Sequence, residues 1–338
     1  MARVPNPTPA VQKHVDKVVA EFIAGLKKGQ MPWSRPWRTS GRPLPFNGLT
    51  GKDYRGINFL TLFRGSMSNE WWTVKQAEKV GGRLVKEKGR QAVVFSARIV
   101  DGEAVEDAEI ADTKGGKDKS YFLSAVSSVY PRENFADLPP SKHVEPPPPF
   151  VDGEGHQRAA HVEAAVRATG ADVREMQSDR AFYSSSEDKV VIPKLQQFKS
   201  ANAYYATLWH ELTHWSGSSK RLRRDFGGEY GDAKYAFEEL VAELGAVFCC
   251  TALGIECDTL HHQSYINGWI TKLESEPTYL MRAAAKASQA LEFLLPDLHK
   301  PIKPAKPKAE PKPKAVAKPK KTTAYRYGMM LRPVTGGA

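Results

Sequence analysis

The chain has 338 residues, 41% of them hydrophobic, with 49 Lys+Arg against 38 Asp+Glu for a formal charge of +11. That length suits two domains and a tail, and the absence of any long apolar run excludes a membrane span. The N-terminal stretch lacks the apolar core of a secretion signal, and three cysteines without CxxC spacing give neither a disulfide framework nor a zinc knuckle, so a reducing cytoplasm is expected.

Charge is unevenly spread. Residues 1–100 carry a net +12, residues 151–300 a net −5 and residues 301–338 a net +9. A basic front and a basic end suit a polyanionic partner.

Taken in chain order, Val15, Val18, Val19, Phe22, Ile23 and Leu26 recur at helical intervals, with Gly29 as a C-cap. A loop crowded with Pro, Trp and Arg follows, "MPWSRPWRTSGRPLPFNGLTGKDYRG", then the short apolar element "INFLTLF" and "EWWTVKQAEKVGG". Two strands are expected at 91–100 and 120–131, and the acidic stretch between them reads as a long hairpin loop. The prolines of 138–155 mark a boundary, giving a first domain over 1–140 and a linker over 141–155.

In the second domain, 156–299, a helix is expected at 156–170 and short strands at 180–183 and 189–193. "ANAYYATLWHELTHWSG" then reads as a helix capped by Ser200 or Asn202, with Gly217 past its end. Further helices are expected at 234–253 and, as a pair, from "YINGWI" to "EFLL". The Lys/Pro/Ala run from 300 to 338 cannot bury enough surface to fold and reads as a disordered tail. The fold class is α+β in both domains.

Two sets of residues carry chemistry. His210 and His214, four apart on a helix, face one way and can share one metal ion. Glu211 beside them is placed to take a proton from water activated by the metal, the HExxH logic of zincins. A third ligand is required, and Glu239, 25 residues beyond His214, supplies it in a gluzincin-type arrangement. Glu243, on the same face one turn on, is read as the acceptor for a ligand histidine's N–H. Glu238 and Glu243 remain alternative ligands. His261 and His262, adjacent in a loop, read as surface residues. The metal is zinc, with manganese as the alternative.

The second set interleaves aromatics with cations and amides: Trp33, Arg35, Trp37 and Arg38, then Asn47, Lys52, Tyr54, Arg55 and Asn58, then Trp72, Lys75 and Gln76. Rings that stack bases and cations that track phosphates suit single-stranded nucleic acid, and no recognition helix for duplex is evident. The alternative is that about half of these aromatics are core, including at least one of the adjacent pair Trp71 and Trp72.

"PWSRPW", "NGLTGKDYRGINFLTL" and "WWTVKQAEKVGG", followed by "YYATLWHELTHWSGSSKRL" and "EELVAELGA", resemble the ArdC-type antirestriction proteins, whose N-terminal domain also occurs at the front of some plasmid primases. The resemblance implies a single-stranded-DNA-binding domain joined to a zincin-like metallopeptidase domain, and protection of mobile DNA from host restriction. The expected enzyme is a zinc-dependent endopeptidase acting on an unidentified protein substrate, with an extended peptide added along the strand at 189–192. The alternative is a binding protein, or a primase-associated accessory, whose metal domain is structural. Metal-dependent DNA cleavage fits poorly, because nuclease sites cluster carboxylates around two ions.

Overall fold

A computed structural model describes residues 8–28, 42–63, 69–100, 103–108, 121–141, 157–224, 233–257 and 266–298 apart from residue 297. The tail from 301 onward, the Trp/Arg loop from 29 to 41 and His261–His262 lie outside the described residues. Among the described residues no helix is long and apolar enough to cross a membrane.

The chain enters through α1 (Pro9–Lys27), where the Thr8 hydroxyl caps the Val11 amide and Pro9 takes a first-turn position. The "FN" of β1 (Phe46–Asn47) pairs in parallel with β2 (Glu70–Trp72), and the apolar "INFLTLF" lies in helix α2 (Gly56–Phe63) between them. Thr73 and Gln76 form a capping box at α3 (Val74–Glu78). Beyond β3 (Arg83–Leu84), β4 (Gln91–Val100) and β6 (Tyr121–Pro131) pair antiparallel. The acidic insertion between them is not wholly a loop: Glu103–Ala108 forms β5 and pairs with β4. The sheet order is β1-β2-β6-β4-β5, and β7 (Phe135–Ala136) pairs with β3 beside it.

After the proline-rich segment come α4 (Ala160–Thr169), β8 (Asp172–Met176), β9 (Phe182–Ser184) and β10 (Lys189–Pro193). Sequence reasoning passed over β8 because "DVREM" is polar; it is a mostly exposed edge, held by its parallel ladder with β10. That ladder also corrects the peptide-docking expectation. The strand at 189–192 is central, with β8 on one side and β9 on the other, so its backbone groups are already paired. The remaining helices are α5 (Ala201–Ser216), α6 (Ala233–Ala252), α7 (Ile266–Ser275) and α8 (Thr278–Leu294).

One hydrophobic core runs through both halves of the sequence. Val11, Val15, Phe22 and Phe59 belong to the same buried cluster as Trp209, Leu244, Leu280 and Leu291. Phe59 on α2 meets Phe248 on α6 with ring centroids 4.1 Å apart. Helix α8 lies at the junction and packs on both α2 and α6. Gly56 makes the approach: its φ of 54° suits glycine, and a Cβ there would lie 3.6 Å from the Ala285 backbone. Its amide donates to the Ser288 hydroxyl at 2.8 Å.

Candidate metal centre and nucleic-acid face

Helix α5 starts where Ser200 accepts from the Ala203 amide, and it is buried along most of its length. Trp209, Leu208, Leu212 and Tyr205 fix its rotation in the core, which turns His210 and His214 toward α6. The two helices pack tightly at Gly245, where a Cβ would come 2.5 Å from Thr213 Cγ2. That closeness lets side chains as short as His and Glu meet across the gap.

They meet at one point. His210 Nε2 and His214 Nε2 lie 3.2 Å apart. Glu239 reaches both, one carboxylate oxygen 3.5 Å from His210 Nε2 and the other 3.6 Å from His214 Nε2. Around a tetrahedral metal with bonds of about 2.0–2.1 Å, ligand atoms sit roughly 3.3–3.4 Å from one another. The spacings here, which use different oxygens of Glu239, lie close to that edge. With one donor atom from each residue the three lie within 4.8 Å of one another, so the donor set suits a divalent ion. The electrostatics agree. Glu211, Glu238, Glu239 and Glu243 are all at least nine-tenths buried around these histidines. Arg224 is buried against Glu238 in a three-bond clamp. Such an excess of buried negative charge calls for a cation.

The residue that orients His214 is one that sequence reasoning weighed only as an alternative ligand. Glu238 accepts from His214 Nδ1 at 3.1 Å, which leaves Nε2 for the metal. Burial disfavours charge on His214, yet the Glu238 hydrogen bond and the charges of Glu239, Glu238 and Glu211 lift its pKa to about 9 in the metal-free protein. Arg224 also reaches the Thr213 carbonyl and the Ser216 hydroxyl, tying Glu238 to the end of α5. It gets there because the chain reverses after Gly217, with Arg223 at φ 54° and the Arg224 amide bonded to the Gly217 carbonyl. In the sequence Arg224 was one of three arginines after a helix, a pattern that ordinarily means a solvated face. Glu243 lies 3.9 Å from His210 Nδ1, too far for a hydrogen bond but close enough for charge attraction.

The nucleic-acid set fares differently. Trp33, Arg35, Trp37 and Arg38 lie outside the described residues. Trp72 is 2% exposed and lies beneath the turn at 47–51, where a Cβ on Gly48 would fall 2.0 Å from its indole. Its Nε1 donates to the buried Glu70, so its face is not open to a base. Trp71 is buried as well, beside Leu62, Val93 and Val129. Both faces of β2 are therefore covered, rather than one.

Three amides are also committed to the fold. Asn58 pairs with the Val94 backbone as a strand would, donating at 2.6 Å and accepting at 2.8 Å. Asn47 accepts from the Leu49 and Thr50 amides and donates to Tyr54 Oη and Gln76 Oε1. Gln76 in turn accepts from the Thr73 amide. Lys52, Lys75 and Arg55 are exposed and Tyr54 is half-buried, so these four remain at the surface; Arg55 pairs with Glu292 of α8 at 2.6 Å.

Comparison with known proteins finds a family match in each half of the chain. Residues 160–286 match a zincin-like metallopeptidase family, and residues 12–130 match the N-terminal domain of the anti-restriction factor ArdC. The chain is 35% identical over 296 residues to a DNA primase TraC of Escherichia coli; the match covers 84% of this chain but only 20% of the primase. The crystal structure of the antirestriction ArdC protein from plasmid R388 in its metal-free form superposes with a TM-score of 0.65 at 30% identity, covering 84% of this chain and 97% of that one. The Mn(II)-bound form of the R388 protein gives 0.64 at 28% identity, covering 85% and 98%. With the two matched regions in this order and a like structure over nearly the whole R388 chain, the protein belongs to the ArdC family of antirestriction proteins, with a zincin-like domain as its second part.

Proposed function

We propose that this protein binds single-stranded DNA through its basic front and hydrolyses a protein substrate at the His210–His214–Glu239 centre, protecting DNA that enters a restricting cell. The convergence of two imidazoles and a carboxylate beside Glu211 is the observation that carries the reading. His210 and His214 present Nε2, and Glu239 presents its carboxylate. A divalent ion held by them supplies Lewis acidity, lowering the pKa of water and polarising a carbonyl. Zinc is the ion proposed; the Mn(II)-bound R388 structure supports manganese as a second occupant.

The chain's own groups do the rest. Glu211, buried beside the histidines, accepts the proton from the attacking water and returns it to the leaving amine. Glu238 keeps His214 in the tautomer that frees Nε2, and Arg224 keeps Glu238 in place. The match to TraC primases and the exposed Lys52, Lys75 and Arg55 support strand binding at the front.

The test is transfer of unmethylated DNA into a restricting host with Glu211→Gln in place of the wild type. The expected variant keeps its metal and its DNA affinity and loses protection. Full protection by that variant would establish the alternative, a binding protein that acts by coating DNA.

A further inference from the structure

A cavity of about 380 Å³ lies where the 50–55 turn meets the C-terminal end of α8. Lys52, Tyr54 and Arg55 line it from the front half of the chain, and Leu291, Glu292 and Leu295 line it from the second half. Ligand sites begin at roughly 300 Å³, so there is room for one nucleotide and not for a stacked run. Three residues singled out in the sequence for nucleic acid thus share a concavity with a helix that the sequence assigned to the peptidase half.

The two walls differ in chemistry. On the front side Lys52 is exposed, and Arg42 behind it is neutralised by a buried pair with Asp53. On the other side stand Glu292 and the terminal carbonyls of α8, a negative end that repels phosphate and attracts N–H donors. Glu292 is exposed beside the cavity and paired with the Arg55 guanidinium at 2.6 Å, and the lone pairs of a carboxylate can accept from a further donor as well. Leu291 and Leu295 give a ring an apolar wall, and the half-buried Tyr54 lines the same space.

We propose that this seam takes one unstacked base of a single-stranded DNA, its exocyclic amino group donating to Glu292 and its adjacent phosphate at Lys52. The inference rests on the single-strand reading above and adds that α8 is part of the DNA site. Cytosine presents an amino group where thymine presents a carbonyl, so the pocket discriminates between two equally flexible pyrimidine strands.

The experiment uses the full chain and labelled oligo-dC and oligo-dT of equal length, with affinities read by fluorescence anisotropy at one salt concentration. The wild type is expected to favour oligo-dC by about fivefold, at the modest end of what one base contact discriminates. Glu292→Ala should bring the two strands together. Thr50→Trp, which fills the cavity from its exposed rim, should lower oligo-dC to the level of oligo-dT with metal content unchanged. Equal affinities in the wild type, or a preference that survives both substitutions, overturn the pocket and leave strand binding intact. Binding of neither strand by the wild type removes the single-strand reading, and the pocket with it.

Discussion

Glu238 and Arg224 extend the candidate metal centre beyond its three proposed ligands. Glu238→Gln removes the charge that holds the His214 Nδ1 proton and, with Oε1 kept toward His214, one of the three bonds of the Arg224 clamp. Metal affinity, measured by competition with a chelator, is expected to fall about 10- to 100-fold. Glu211→Gln, whose side chain is proposed to act on water and not on the ion, should leave that affinity within experimental error. Equal losses in the two variants would mean that Glu211 is needed for binding.

Asp188 offers a residue-scale test of stability. It sits at φ 53° in the β9–β10 turn and binds Arg221, Lys220 and the Tyr183 hydroxyl. Arg221 lies over the Trp215 ring at 3.9 Å, so the pair joins this turn to the end of the histidine-bearing helix. The Arg221 hydrogen bond holds the Asp188 carboxyl well below its ordinary value of 3.8. The contribution is therefore present above pH 4 and is lost as pH falls below that range. Asp188→Asn keeps a residue that tolerates positive φ and should cost about 1–3 kcal/mol near pH 7. The Tm gap between wild type and variant should narrow as the pH is taken below 4.

At the scale of elements, the α5–α6 contact depends on the missing side chain at Gly245. Gly245→Ala places a methyl within 2.6 Å of both Thr213 Cγ2 and Oγ1, and these atoms sit on the backbone side of a buried helix with little room to move. Separation of the helices should cost about 1–3 kcal/mol and weaken metal binding, because Glu239 is carried away from the histidines. Thr213→Ser in the same chain removes one of the two clashing atoms and should restore part of the loss, read as Tm and as metal content. Helical spacing alone showed that His210 and His214 share a face. It could not show how near the second helix comes.

Among the described residues both halves of the chain share the main core, with α8 packed on elements of each, and this decides what can be cut. Val15, Phe22, Phe59 and Phe63 of the front half are buried in the same cluster as residues of α6, α7 and α8. A fragment ending at Ser141 exposes those faces to water. Its thermal unfolding, followed by circular dichroism, is expected to lack a cooperative transition, whereas residues 1–300 should unfold in one. A cooperative transition in the short fragment would show that the front half folds alone and that the shared core is a docking contact.

What the sequence determined by itself is local and periodic. The helices of His210 and Glu239, the capping Ser200, the strands at 91–100 and 121–131 and the HExxH pair follow from spacing and propensity, which act over a few residues. The polar strand β8 and the strand β5 inside the acidic insertion were not legible in their own patterns: β8 is held by its parallel ladder with β10, and β5 by its antiparallel pairing with the adjacent β4. The tertiary structure alone decided that Trp72 is a floor under a turn and not a platform for bases, since the same indole serves either use until its neighbours are placed. It also decided that Glu238 turns to His214 Nδ1 while Glu239 turns to the Nε2 atoms of His210 and His214. Adjacent glutamates on a helix differ by about 100° of rotation, and only the packing of α6 against α5 sets which histidine nitrogens each one meets.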